Sequence, residues 1–192
     1  MEVERTVKNL ILASSSPRRQ ELLKQVNIPF TIRKPAIDET QITTKDPVEK
    51  VQQLAIRKGR AIQIQNEYEV ILAADTVVSY EQTIFEKPKN KEEAHSLSGE
   101  THDVYTGVNI RSTEHESIFV ERTKVVFWPL SKSEIEWYVS TDDPYDKAGA
   151  YGIQSLGAIF VKEIIGDYYN VVGLPLSRVV RELRKFSIYP NI

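Results

Sequence analysis

Short apolar runs alternate along the chain with longer stretches in which apolar residues recur every three or four positions, the pattern of strands interleaved with helices. Asn9 to Ala13 (NLILA) reads as a strand that passes through Ser14-Ser15-Ser16-Pro17-Arg18-Arg19 into a helix carrying Leu22, Leu23 and Val26. Phe30 to Ile32 is a second short strand. Asp46-Pro47 opens a helix predicted to run to Gln65, with Val48, Val51, Leu54, Ala55, Ala61 and Ile62 as its apolar positions. Asp46 supplies its cap, and Pro47 suits the first helical residue. Val70 to Ala74 (VILAA) is apolar on both faces, as in a central strand covered by helices on each side. The polar pair Asp75-Thr76 is expected to interrupt that strand before Val77-Val78.

Further on, Lys91 to Leu97 has short helical character. Val104 to Arg111 and Ile118 to Trp128 alternate around a polar turn at 112–117, which predicts an antiparallel hairpin. Ser131 with Glu134 forms a capping box for a helix carrying Ile135, Tyr138 and Val139, and Asp142-Asp143-Pro144 stops it. A glycine-rich loop follows over Lys147 to Gln154, then a strand predicted at Ala158 to Val161. A last helix starts at Pro175 with Leu176, Val179, Val180, Leu183 and Phe186 inward. The 192 residues contain no internal repeat and no linker-like segment, so a single domain over 1–192 is expected.

Composition narrows the chemistry. With 41% hydrophobic and 27% charged residues the chain is ordinary for a globular protein and wrong for a disordered one. A net charge of -2 gives no general attraction for nucleic acid or an anionic membrane, so any anion site must be local. The absence of Cys removes disulfides, thiol nucleophiles and cysteine zinc sites. The three histidines, His95, His102 and His115, are scattered and lack the HExxH spacing, so a metal, if present, is held by oxygen. The first residues lack the apolar core of a signal peptide, and no apolar run approaches a membrane span. A soluble cytoplasmic protein is expected.

The segment Ser14 to Arg19 lies where a strand feeds a helix, so free backbone N–H groups, serine hydroxyls and two guanidinium groups can converge on an anion such as phosphate. The plainer alternative is that Ser16 caps the helix and both arginines face solvent. No GxxxxGK[ST] or GxGxxG occurs, which sets aside P-loop and dinucleotide-binding readings. Asp75 ends VILAA, where open α/β sheets place ligand crevices, and suits a general base or metal ligand; otherwise it bonds its own turn. Lys58 falls in the apolar row Val51, Leu54, Lys58, Ala61, which points it into a cleft unless it snorkels past the core. Asp38-Glu39 and Glu86-Lys87-Pro88 place charge beside strand ends, alone no more than surface decoration. In the glycine-rich loop Gln154 offers both a donor and an acceptor to a base edge.

Taken together, LILASSSPRR (10–19), IDE (37–39), Lys58 in LAIRKGRA, AADT (73–76), EKP (86–88), LSG plus TG, DKAGAYGIQ (146–154) and GDYYNVVGLP (166–175) resemble the ordered motifs of the Maf family of nucleotide pyrophosphatases, related to septum-formation inhibitors. The resemblance covers nearly the whole chain. It implies an α/β fold with a central mixed sheet, helices on both faces and two lobes around a deep cleft. It also implies a homodimer that hydrolyses nucleoside triphosphates to monophosphate and pyrophosphate with Mg²⁺ or Mn²⁺.

Carried over by motif, Asp75 matches the general base, Glu39, Lys58 and Lys87 match catalytic cleft residues, and Asp75 and Glu39 are the metal ligands expected. Ser14, Arg18, Arg19, Thr76 and Gln154 match substrate-binding positions. The combination of Arg18, Thr76 and Gln154 resembles the branch acting on dTTP and UTP rather than the one acting on 7-methyl-GTP. The alternative class is a non-catalytic, nucleotide-sensing regulator of septum formation with a cell-division partner. The sequence departs from the family pattern in a shorter stretch before Leu97, in Glu100 and in Ser155, where Gly is usual.

Overall fold

The computed structural model describes residues 8–85, 97–143 and 147–191. The helix expected at 91–97, with the shortening before Leu97, and the Glu86-Lys87-Pro88 motif lie outside these residues, Leu97 itself excepted.

Three parallel strands start the sheet. β1 (Asn9–Leu12) lies between β2 (Phe30–Ile32) and β3 (Glu69–Tyr80), joined by α1 (Pro17–Gln25) and α2 (Pro47–Arg60). β3 then pairs antiparallel with β5 (Thr101–Arg111), β5 with β6 (Glu116–Phe127) and β6 with β7 (Val161–Ile165), giving the order β2-β1-β3-β5-β6-β7. β4 (Thr83–Phe85) folds back on the end of β3. Helices α3 (Lys132–Val139), α4 (Tyr168–Val172) and α5 (Leu176–Leu183) complete the regular elements.

The alternation of β3 divides its side chains between two faces. Val70, Leu72 and Ala74 join Leu10, Leu12, Leu22, Leu23, Val179 and Leu183 in a core beneath α1 and α5. Ile71 and Ala73 face the other way, with Ile11, Ala13 and Ile62, beneath α2. A third cluster of Val78, Val104, Val125, Phe127, Tyr138, Tyr151 and Phe160 fills the far half of the sheet. Leu12 and Leu72 are wholly enclosed, and truncating either to Ala should cost about 2–5 kcal/mol.

Two glycines seat α2. A Cβ on Gly107 would collide with the Val51 carbonyl, and one on Gly59 with the Asn109 side chain, so helix and sheet backbones meet more closely than other residues allow. Gly107 is the cross-strand partner of Asp75. The close seat on β5 therefore brings the last turn of α2 over the middle of β3.

Three expectations need correction. The Asp75-Thr76 pair does not break its strand; β3 runs unbroken, with Asp75 opposite Gly107 and Thr76 opposite Thr106. Helix α2 ends at Arg60 rather than Gln65, because Arg111 takes the carbonyls of Gly59 and Ile62 (2.9 and 3.2 Å) and Ile62 peels away into the core under the sheet. Residues Leu156–Phe160 form a 3₁₀ turn and the strand begins at Val161; buried Gly157 and Phe160 lie three apart while Leu156 and Ile159 are exposed.

Candidate active site

On one edge of β3, β1 pairs as far as Leu72 and β4 joins only at Val78. Among the described residues, positions 73–77 have a ladder partner on the β5 side alone. The chain of β1 turns away there through Ala13 and Ser14, and a cleft of about 1310 Å³ opens over the gap. Asp75 and Thr76 form its floor.

Asp75 falls on the same face as Ile71 and Ala73, so it points at α2. Lys58, in the last turn of that helix, places its Nζ 2.5 Å from Asp75 Oδ1 and 2.9 Å from Glu39 Oε1. Lys58 and Asp75 side chains are 13% and 12% exposed, while Glu39 is 56% exposed. Glu39 opens a 3₁₀ turn capped by Asp38, which accepts from the Thr40 N–H. Snorkelling is thereby excluded for Lys58: its ammonium turns into the cleft.

Burial pushes the Asp75 carboxyl above the usual Asp value, against the opposing pull of Lys58 and Arg19. The result is an underhydrated carboxyl group, more basic than an exposed one. A raised basicity of this kind suits a proton acceptor.

Thr76 faces the other way, toward α1. Its Oγ1 accepts from Arg19 Nη2 (3.1 Å) and lies 2.9 Å from Thr106 Oγ1. Arg19 also donates through Nε to the Gly173 carbonyl (2.8 Å) and through Nη1 to Ser14 Oγ (3.3 Å). Arg19 is only 9% exposed, so the reading in which both arginines face solvent fails for it. Burial draws its pKa down, with Arg18 adding to that effect and Asp75 and Glu39 opposing it. Its donors tie α1, β3 and the turn after α4 together.

Arg18 is half-buried on the cleft wall. The Ser16 side chain makes no cap bond; instead Ser14 Oγ accepts from the Ser16 N–H at 3.2 Å. The start of α1 thus lines the cleft without a side-chain cap, and the Ser14 hydroxyl, an acceptor in this bond and in the one from Arg19, keeps its proton to donate.

The opposite wall is the segment after α3. Gly149 and Ala150 have φ of +68° and +62°, and Tyr151, Gly152, Ile153, Gln154 and Ser155 line the cleft, with the Gln154 side chain exposed in it. Ser14, Arg18, Arg19, Glu39, Lys58, Asp75, Thr76 and Gln154 thus all border one cavity. Lys87 lies outside the described residues.

Sequence reasoning missed Lys34, Lys50 and Lys147 on the cleft wall and the Gly173 carbonyl that holds Arg19. Lys50 was detectable, since Lys50, Leu54 and Lys58 follow one another at spacings of four along α2. With these included, the described lining carries Arg18, Arg19, Lys34, Lys50, Lys58 and Lys147 against Glu39 and Asp75. A chain of net charge -2 concentrates positive charge here. Such a lining suits a polyanion.

Residues 9–186 match the family described as Maf-like protein. A dTTP/UTP pyrophosphatase of Geobacillus sp. (strain WCH70) is 52% identical over 185 residues, 94% of this chain and 100% of that protein. A protein of the same name from Bacillus cereus (strain G9842) is 50% identical over 186 residues, 95% of this chain and 97% of its own. One from Bacillus cytotoxicus is 49% identical over 185 residues, covering 94% and 97%.

Proposed function

The chain belongs to the Maf family, and we propose that it is a nucleoside triphosphate pyrophosphatase that hydrolyses dTTP and UTP to the monophosphate and pyrophosphate. The observation that carries this reading is the buried, lysine-paired Asp75 on the floor of a cationic cleft. A cleft that only sensed nucleotides would need the cations but not the basic carboxylate among them.

In this reading Arg18, the start of α1 and the Ser14 hydroxyl take the phosphates, as charge-assisted and backbone N–H donors suit oxyanions. Lys58 holds Asp75 Oδ1, which leaves Oδ2 to accept a proton from water. That water forms a bond to the α-phosphorus as the bond to the bridging oxygen breaks and pyrophosphate departs. The surrounding cations stabilise charge on the reacting phosphate. Lys87, whose motif matches the same site, is assigned to this set by the resemblance alone.

A divalent cation belongs to the same proposal. Among the described residues no three His, Asp or Glu side chains converge, so an all-protein cage is not what the donors offer. Asp75 and Glu39 present hard oxygens to one cleft, but Lys58 already holds Asp75 Oδ1 and Glu39 Oε1; with Asp75 Oδ2 kept for the proton, Mg²⁺ or Mn²⁺ would be held by Glu39 Oε2 together with phosphate and water. When bound, the ion supplies charge neutralisation on the phosphates.

Gln154 reads the base. Its amide can donate to one carbonyl and accept from the ring N–H of thymine or uracil, a two-point match that cytosine and adenine do not offer in that orientation. The test is pyrophosphate release by the purified protein over dTTP, UTP, dCTP, dATP and dGTP with Mg²⁺ or Mn²⁺. dTTP and UTP should be turned over best; no turnover of any would leave the sensing regulator as the better account.

A further inference from the structure

Asp143, just past the end of α3, gathers both ends of the loop that carries Gln154. Its Oδ2 accepts from Ser155 Oγ at 2.9 Å and from the Tyr138 hydroxyl at 2.7 Å. Lys147 at the start of the loop donates to the Asp143 carbonyl (2.7 Å) and lies 3.3 Å from its Oδ1. Asp143 and Lys147 side chains are 13% and 14% exposed, so these bonds are partly shielded from water. Tyr138 is itself fixed, 3% exposed and T-shaped to the Phe160 ring with centroids 4.7 Å apart.

The loop between these anchors is strained and closely folded. Ala150, a residue with a Cβ, holds a left-handed φ of +62° next to Gly149. Ser155 also returns its N–H to the Gly152 carbonyl at 3.3 Å, and that carbonyl lies 3.2 Å from the hydroxyl, farther than the Asp143 carboxylate that takes its proton. Ile153, on the other side of Gln154, packs against the main core. Gln154 therefore projects into the cleft between one neighbour held by apolar packing and one held by a carboxylate.

We propose that the Asp143–Ser155 pair is a clamp that positions Gln154 and so sets how sharply the site discriminates between bases. The proposal rests on the pyrimidine-triphosphate reading above and adds a residue pair that does not touch the phosphates. Burial disfavours the charged form of Asp143, yet the bonds from Tyr138, Ser155 and Lys147 hold its carboxyl below the usual Asp range. The clamp is thus anionic at working pH and its hydrogen bonds are charge-assisted. Losing the Ser155 bond leaves Gln154 in place on average but free to tilt, which erodes a two-point match before it erodes catalysis.

The test compares wild type, Ser155→Ala and Ser155→Thr for kcat and KM with dTTP, dCTP and dATP, alongside amide exchange over 147–155. Ser155→Ala should cut the preference for dTTP over dATP by about threefold to tenfold, chiefly through the KM for dTTP, and speed exchange in the loop. Ser155→Thr, which keeps the hydroxyl, should restore both. A full preference in Ser155→Ala, or equal losses in the threonine variant, overturns the clamp while leaving the pyrophosphatase reading intact. A wild-type protein with no preference for dTTP overturns the base-reading itself, and the clamp with it.

Discussion

At one end of the cleft Asp75, Thr76, Lys58 and Arg19 project from the middle of a strand and from two helices, and their neighbours are the best enclosed parts of the core. At the other end Gln154 projects from 3₁₀ turns and a loop with two left-handed residues, fixed by a handful of polar bonds. The proposed base and the cation that holds it thus ride on regular elements, where close helix-to-sheet packing at Gly107 sets their spacing. The group assigned to the base rides on a loop. Phosphate is common to every nucleotide, so in the proposed reading the rigid end stays fixed while the loop end sets the substrate.

The contrast can be broken most severely at Asp75. Asp75→Asn keeps shape and packing but cannot take a proton, and should lower single-turnover hydrolysis by roughly 10² to 10⁴ with an unchanged melting temperature. A rate within a few-fold of wild type would remove Asp75 from the role of base. Lys58→Met removes the ammonium that opposes the rise of the Asp75 pKa. The rate should fall by about 10²-fold, and the acid limb of kcat/KM should move to higher pH. A limb that stays in place would mean that some other group governs it.

At the loop end the expected effect is smaller and of another kind. Gln154→Ala should reduce the preference for dTTP over dATP by about tenfold to a hundredfold while lowering the rate less, because an unpaired base edge costs roughly 1–3 kcal/mol. An alanine variant with its preference intact would place base recognition elsewhere.

One further effect touches folding rather than turnover. His102, enclosed on β5, lies 2.9 Å through Nε2 from the Tyr151 hydroxyl, and burial pulls its pKa down to about 4. The unfolded chain, with an ordinary His, binds a proton that the folded one refuses between pH 6.5 and 4. Stability from this group is therefore complete above about pH 6.5 and lost toward pH 4, on the order of 3 kcal/mol. Denaturant unfolding should show that loss in wild type and not in His102→Gln, so acid should weaken the Tyr151 side of the cleft first. Equal pH dependence in both would rule His102 out.

The rigid end was also the legible one. The row Val51, Leu54, Lys58 is periodic, and periodicity reports which face is buried; VILAA is a continuous apolar run that marks a central strand but gives no sign that the strand runs on through Asp75-Thr76. The exact turn of Arg19 was not legible, since it depends on the Gly173 carbonyl 154 residues away. The 3₁₀ turn at 156–160 reads as a strand because a few apolar residues carry no period of their own. The Asp143 hub joins groups from α3 and both ends of a loop through side-chain bonds, and nothing in the spacing of Tyr138, Asp143, Lys147 and Ser155 announces it.

The mechanism is tested most directly by where oxygen from solvent goes when wild-type protein hydrolyses dTTP in ¹⁸O-water. Water activated by Asp75 against the α-phosphorus places the label in the monophosphate and leaves pyrophosphate unlabelled. Label recovered in pyrophosphate would mean attack at the β-phosphorus and would contradict the arrangement of base and phosphates argued from this cleft.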